Sequence, residues 1–527
     1  MGFMDDASLV RRFMDADMQL TLDALDALRK REDTESAAER VLVSLREMGG
    51  RPFLITADLI TKILKEENIE TGPTPSVPPI RPSAPEVEAP TEREIAEKAP
   101  EFARTKVKLR ASEFEPRVEV FKDITGRSYT EGKLKDFVNV FRDRYERLSR
   151  ILRKRVDLHD AVPISSLKNF EGRELVKVIG MVSEKRETSG GHVVLEIEDL
   201  NGRASAWVFK GQRKLMQKSA EVVVDEVVGI VGNVRSGDRA PRLFVRDIIW
   251  PDLPITRELS RAEDPACAAL ISDLHIGSEM FLEDVFMKFV NWLRGETGNA
   301  QQQELASGVK YLVVAGDIVD GIGVYPQQEE ELLINDITKQ YDAAAKLLAQ
   351  VPEHITIIIA PGNHDAVRPS EPQPAIPKDI AGGLYDLNSV MVGNPAWVSL
   401  HGVNFLIYHG RSFDDLIATI PGLNRQKSTP SMIKLLRKRH LAPVYGGRTA
   451  ISPEQQDYLV IEKVPDVFHC GHMHVYGYER YRNVEVVNSG TFQETTIFMR
   501  RLGVKPTPGI VPVLDLQTRQ ARVIHFA

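Results

Sequence analysis

The 527-residue sequence predicts an α/β protein of several domains, in which a large α/β domain follows an all-β barrel and a small N-terminal helical module. Three observations carry that reading. Between 265 and 527, five short apolar stretches (CAALIS, YLVVAG, ITIIIA, NFLIYH and DVFHCG) alternate with helical segments, as strands covered on both faces do. Five strand-like runs crowd into 163–255, most of them separated by Gly, Asn, Asp and Ser. The segment TGPTPSVPPIRPSAPEVEAP, at 71–90, holds seven prolines and almost no large apolar group, so it tethers rather than packs. A chain of this length is too long for one core.

Composition narrows the class. Hydrophobic residues make up 42% and charged residues 27%, ordinary values for a soluble globular chain. No apolar run approaches a membrane span and no signal-peptide pattern opens the sequence, so no membrane partner is expected. Cys267 and Cys470 are the only cysteines, too few for a disulfide framework or a zinc finger. A reduced, cytoplasmic protein is expected. The net charge of −7 means that any nucleic acid must be met by a local patch, a metal site or a partner.

The elements follow in order. In 1–70, Ser36 and Glu39 have capping-box spacing ahead of ERVLVSLREM, which Gly49-Gly50 stops, and TADLITKILKEEN (56–68) fits a second helix. This is a helical interaction module, followed by a Pro-rich linker over 71–99. Residues 100–162 form a helical lead-in. Within it GKLKDFVNVFRDRYERLSRILRKR (132–155) has apolar residues at helical spacing and a cationic end that suits the helix dipole or a phosphate backbone. In 163–255, LVKVIGMVS, HVVLEIED and RASAWVF precede a short helix, KGQRKLMQKSAEVVVD, and then EVVGIVGNVR and RLFVRDII. Three strands, a helix and two strands is the order of an OB-fold barrel, a different small β-barrel being the alternative. Trp207, Phe209 and Phe244 are its obvious aromatics, so it serves single-strand binding or is purely structural.

Chemistry-bearing residues collect in 265–527, at five strand exits. ISDLHIG brings Asp273 and His275, two apart on an extended segment. VVAGDIVDG brings Asp317 and Asp320, and APGNHDAV brings Asn363, His364 and Asp365. LIYHG brings His409, and HCGHMHVYG brings His472 and His474. Singly, each has a bland explanation, such as a satisfied histidine or a helix-capping aspartate. Together they follow apolar strands, whose exit loops converge on one rim of an open α/β sheet. Mixed Asp, His and Asn donors suit Mn²⁺, Fe²⁺ or Zn²⁺. Seven such donors exceed one ion's needs and match two divalent ions with a shared carboxylate.

In that order, D-x-H, G-D-x-x-D-G, G-N-H-D, a later His-Gly and G-H-x-H resemble the calcineurin-like metallophosphoesterases over about 265–500. The resemblance implies a sandwich of mixed β-sheets flanked by helices, holding two divalent ions, Mn²⁺ foremost with Fe²⁺ or Zn²⁺ as alternatives. It implies that Asp273, His275 and His474 hold the first ion, that Asn363, His409 and His472 hold the second, and that Asp317 bridges them. It gives His364 the leaving oxygen, and Asp320 and Asp365 the orientation of ligands or of that imidazole. Two such ions activate water for in-line attack on a phosphodiester.

A barrel directly before such a domain, behind a tether and a helical head, resembles the small subunits of archaeal family D DNA polymerases. That resemblance implies a 3′→5′ proofreading exonuclease acting on DNA 3′ ends beside a large catalytic polymerase subunit. A sliding clamp is expected only through the complex, because no glutamine-led motif with paired aromatics stands out. A non-catalytic assembly subunit and a stand-alone metallophosphodiesterase are the rivals. LNRQKSTPSMIKLLRKRHLAPVYGGRT, at 423–449, is dense in Arg and Lys. Arg425, Lys427, Lys434, Arg437, Lys438 and Arg439 are candidate DNA contacts, with a solvated helix face or a surface for the large subunit as the alternative.

Overall fold

The computed structural model describes residues 109–170, 174–235 and 241–527, with isolated positions between 19 and 60. The chain divides into two compact units, Met1–Phe102 and Ala103–Ala527. In the first, Gln19–Leu20 and Leu54–Ile55 pair as short parallel strands, which a purely helical reading did not include. Ala24, Leu28, Ala37, Ala38, Val41 and Ile60 are buried. Ser36, Glu39 and the whole of 71–99 lie outside the described residues.

In the second unit a 3-10 turn, Arg110–Glu113, precedes a strand, Val118–Lys122 (β1), and a long helix, Leu134–Arg153 (α1). Five strands then close a barrel: Leu175–Glu187 (β2), Val193–Glu198 (β3), Arg203–Val208 (β4), Val227–Arg235 (β5) and Arg242–Ile249 (β6). The helix Arg213–Ala220 (α2) joins β4 to β5. The strand order is β2-β3-β4-β6-β5, and β5 pairs back onto β2. Val178, Leu195, Ala206, Ile230 and Val245 fill the interior. Closure leaves no open sheet edge.

The rest is two six-stranded sheets packed face to face. The first contains Cys267–Ile271 (β7), Val309–Ala315 (β8), Thr356–Ala360 (β9) and Ser389–Met391, all parallel, with Ile510–Asp515 and Ala521–His525 added antiparallel beside β7. The second contains the parallel pair Val403–Ile407 (β10) and Val467–Cys470 (β11). Gly477–Tyr481 and Val484–Asn488 lie on one side of that pair, Ala396–Leu400 and β1 on the other. Leu270, Val313 and Ile358 from the first sheet meet Val398, Phe405, Ile407 and Val467 from the second in a common core. The helices Glu283–Leu293 (α3) and Ile337–Leu348 (α4) cover the outside of the first sheet, where Phe286, Phe289 and Tyr341 pack on Ile271, Leu312 and Ile357. The helix Ser428–Lys438 (α5) covers the second with Leu435 and Leu436 on Leu406 and Phe468. The central strands β7, β8, β9 and β11 are buried on both faces because one face meets the other sheet and one meets helices.

Two expectations are corrected. The lead-in over 100–162 is not wholly helical. Its VEVFK stretch, rich in β-branched and aromatic residues, forms β1 and pairs Leu400 with Val118 and Val398 with Val120, which covers an otherwise open edge. The basic run 423–449 is not a continuous DNA surface. Lys438 is buried with Glu226 of the barrel at 2.5 Å, and Glu226 also accepts from Trp250 Nε1 at 3.2 Å. Lys434 and Arg437 both pair with Glu221, at 2.7 and 2.9 Å. Arg439 is buried and donates to the Ile461 carbonyl at 2.6 Å. Lys434, Arg437 and Lys438 join the barrel to the sandwich, whereas Arg439 is spent within the sandwich. On the other side of the joint, the buried Arg144 of α1 donates to Asp457 Oδ2 at 2.8 Å and to the Pro443 carbonyl at 2.9 Å. Arg425, which pairs with Asp414, and the exposed Lys427 also stand clear of that joint.

Lys438→Ala strands the Glu226 carboxylate in the interior, a change that costs about 3–5 kcal/mol when a buried pair loses one partner. A lowered urea midpoint is therefore expected. An unchanged midpoint together with weakened DNA binding would return this lysine to the DNA surface.

Acid acts on the same joint. Burial, reinforced by Arg144, pushes His440 down to about 4 although Asp457 lies 2.8 Å away. The unfolded chain takes that proton near 6.5, so between about 6.5 and 4 it binds more protons than the folded chain. Stability from this group is complete above that window and falls with pH inside it, by up to about 1.4 kcal/mol per pH unit. Denaturation midpoints followed from pH 7 to pH 4 (~three units, spanning that window) should flatten in His440→Gln. An unaltered slope would place the dependence elsewhere.

Candidate metal centre

Each predicted donor sits just past a strand. Asp273 and His275 follow β7, Asp317 follows β8, Asn363 follows β9, His409 follows β10, and His472 and His474 follow β11. Five of the seven hold left-handed backbone: Asp273 (φ 51°), His275 (53°), Asp317 (52°), His472 (66°) and His474 (55°). Such φ values are uncommon for residues with a Cβ and cost energy wherever they are held. The motif glycines supply the space. A Cβ on Gly316 would lie 2.5 Å from His409 Nδ1, and one on Gly471 would lie 2.4 Å from Asp273 Oδ2. Asp273, His275, Asp317 and His409 are almost wholly buried, while Asn363 and His472 line the cleft at intermediate exposure.

The donors converge in two overlapping groups. In one, His275 Nε2 lies 3.1 Å from His474 Nε2, and His474 Nε2 lies 3.3 Å from Asp273 Oδ1. In the other, His409 Nε2 lies 3.1 Å from Asn363 Oδ1 and 3.2 Å from Asp317 Oδ2. Asp317 Oδ2 stands between the groups, 3.7 Å from His275 Nε2. His472 stands beside His409, ring centroids 5.2 Å apart, with its Nε2 3.4 Å from Asp414 Oδ1.

Proton bookkeeping tests whether cations fit. His409 Nδ1 faces only the Ala315 carbonyl, at 2.9 Å, so that nitrogen carries the hydrogen. Its Nε2 lone pair then points at two oxygens. His275 Nδ1 is likewise committed to Asp320 Oδ1 at 2.9 Å, which leaves the Nε2 lone pair toward His474. The buried Nδ1 of His474 and Nε2 of His472 make no hydrogen bond. The His409 lone pair, aimed at two oxygens, is repelled unless positive charge lies among them. Burial alone would lower the basicity of His409. The Asp317 carboxylate overrides burial and raises it to about 10, so a proton is demanded where a cation could sit. These residues fit divalent cations and could hold two through Asp273, His275, His474, Asn363, His409, His472 and a shared Asp317.

The supporting residues have divided roles. Asp320 fixes His275 through its carboxylate, and its backbone carbonyl receives His364 Nδ1 at 2.7 Å. Gln328 and Gln493 donate to the Asp320 carboxylate at 2.8 and 3.2 Å. Asp365 has no hydrogen bond to the His364 imidazole. It accepts from the amides of Gly362 at 2.8 Å and Ile318 at 3.3 Å, and from the Tyr341 hydroxyl at 3.0 Å, which locks two motif loops together. Burial, then the Asp317 carboxylate, push it up to about 7. The sequence reading missed Asp414, the two glutamines and Tyr341. No local pattern marks them, since each approaches the site from a separate loop or helix.

The B-subunit family of DNA polymerases alpha and epsilon matches residues 268–477. The DNA polymerase II small subunit of Methanothermobacter thermautotrophicus is 41% identical over 489 residues, 93% of each chain. That of Archaeoglobus fulgidus is 46% identical over 396 residues, 75% of this chain and 78% of the relative. That of Methanocaldococcus jannaschii is 40% identical over 421 residues, 80% of this chain and 70% of the relative. Among solved structures, an archaeal phosphodiesterase aligns with 49% of this chain and 98% of its own at 15% identity and a TM-score of 0.24, a likeness too slight to bear on function. Among the described residues, no helix is long and apolar enough to cross a membrane.

Saturating Mn²⁺ is expected to raise the melting temperature, since a ligand at a hundredfold excess over its Kd stabilises a folded chain by about 2.7 kcal/mol. Asp317→Asn and Gly316→Ala should lose most of that rise. A rise left intact in both would mean that the ions bind elsewhere.

Proposed function

The chain belongs to the small subunits of archaeal DNA polymerase II, and from that premise we propose that it is the 3′→5′ proofreading exonuclease subunit of a replicative DNA polymerase. Its substrate is the phosphodiester at a DNA 3′ end. Its partners are a large catalytic subunit and DNA, with a sliding clamp reached only through the complex. The sandwich is read as a calcineurin-like phosphoesterase domain and the five-stranded barrel as an OB-fold. One observation carries the reading: donors from five separate strand exits, most of them buried, converge in two groups, with the His409 Nε2 lone pair aimed at the Asn363 and Asp317 oxygens and the His275 Nε2 lone pair at His474.

Asp273, His275 and His474 would hold one ion, Asn363, His409 and His472 the other, and Asp317 both, with Mn²⁺ the favoured metal. When bound, the ions polarise the phosphodiester and lower the pKa of the attacking water. The remaining work belongs to this chain's side chains. Asp320 and the Ala315 carbonyl hold the Nδ1 hydrogens of His275 and His409, and so keep both Nε2 lone pairs aimed inward. His364 has its Nδ1 hydrogen on the Asp320 carbonyl and lines the cleft, which leaves Nε2 for substrate. As imidazolium, it donates that Nε2 proton to the departing 3′ oxygen of the penultimate nucleotide while the P–O bond breaks, and a 5′-mononucleotide leaves.

Leaving-group chemistry tests that role. His364→Ala should abolish stepwise 3′ degradation of single-stranded and mismatched DNA, yet retain much of the native rate on thymidine 5′-(p-nitrophenyl phosphate), whose leaving group needs no proton. General acid catalysis is worth about 10²- to 10⁴-fold, which sets the expected gap between the two substrates. Equal losses on both would remove His364 from proton transfer. Absence of cleavage by the native chain, alone and with its large subunit, would leave an assembly subunit instead.

A further inference from the structure

The cleft over the metal donors has a volume of about 400 Å³, and its walls differ in chemistry. Arg411, Arg425 and Arg448 stand among its lining residues, Arg425 paired with Asp414 of the same wall, and so do Tyr325, Phe498 and Leu502. Tyr325 and Phe498 are stacked, with ring centroids 5.7 Å apart and planes 23° from parallel. The Tyr325 ring lies 6.1 Å from that of His364. Its hydroxyl donates to Glu331 Oε2 at 2.8 Å, and Glu331 Oε1 accepts from the Ile497 amide at 3.3 Å. That carboxylate ties the tyrosine's loop to the short helix Ile497–Arg501 (α6), which carries Phe498. The phenylalanine is nevertheless 47% exposed, and its neighbours Ile497 and Leu502 are 52% and 41% exposed. Apolar surface left in water at the mouth of a polar, strained site marks a binding surface.

We propose that the Tyr325–Phe498 stack seats the terminal nucleobase of an unpaired DNA 3′ end, while Arg411 and Arg448 take the adjacent backbone phosphates. The proposal rests on the exonuclease reading and names its preferred substrate. An aromatic face accepts any base, because every base has a π-face, so the seat is indifferent to sequence. It is not indifferent to pairing. A paired terminal base must leave its stack first, whereas a frayed or mismatched one is already free. Guanidinium groups match phosphate in charge and geometry. The seat therefore selects the ends that proofreading must remove, by the cost of freeing the base rather than by reading its edge.

The test uses the full chain assembled with its large subunit and two single-stranded oligonucleotides, one ending in adenine and one in an abasic deoxyribose. The native complex should favour the adenine end by about tenfold in kcat/KM, within the range that stacking on one ring provides. Phe498→Ala should lose that factor on the adenine end and nothing on the abasic end. Phe498→Tyr should keep the preference. Equal loss on both ends, or a native complex that treats the ends alike, overturns the seat. A second measurement separates it from the exonuclease reading. In a His364→Ala background, a 3′-terminal 2-aminopurine should be quenched on binding, and adding Phe498→Ala should abolish the quench. Quenching that survives the added substitution overturns the seat, whether or not the native complex cleaves DNA.

Discussion

The constraint on which the site depends is the concentration of buried negative charge and lone pairs at one edge of the β-sandwich. Asp273 and Asp317 are almost without solvent, and the imidazoles around them have their Nδ1 hydrogens engaged elsewhere or no partner at all. Such a group of ligands is tolerable only around positive charge. The left-handed φ values at five donors, the glycines packed against His409 and Asp273, and the Asp365 carboxylate that gathers amides from two motif loops all hold that group together against its own repulsion.

The joint between barrel and sandwich follows a different logic. Here cations and carboxylates are matched one to one or two to one: Lys438 with Glu226, Lys434 and Arg437 with Glu221, Arg144 with Asp457. Paired charges fix the relative orientation of two folded bodies more than they stabilise them, since each has lost water to reach its partner. The same helix, α5, buries Leu435 and Leu436 on the second sheet, so the barrel is held against the outer layer of the sandwich and not against the metal donors. Among the described residues, no barrel residue lines the cleft.

The difference between the two regions explains where sequence reasoning succeeded. The residues that converge at the strand exits stood out because chemistry and local backbone coincide: glycine beside aspartate or histidine at the end of an apolar run is a pattern within a few residues. The basic run at 425–439 misled for the opposite reason. Sequence shows that charge is present but not what faces it, and the partners Glu221 and Glu226 lie in the barrel, far away in the chain. The strand at 118–122 was missed because an edge strand of five residues beside a long amphipathic helix gives too short an alternation to outweigh the helical pattern.

By itself the sequence determined the order of elements in the barrel and the strands of the sandwich, because period and composition are local properties of a strand buried on both faces. It also named the residues that converge at the strand exits, because their types and spacing form a local pattern. Only the tertiary structure decided which donors share an ion-sized space, which nitrogen of His275, His364 and His409 is free, and that Asp365 serves the loops rather than an imidazole. It alone brought Tyr325 and Phe498 into a stack above the site. Those outcomes depend on distances between residues far apart in the chain, and distance is set by packing, which no local pattern records.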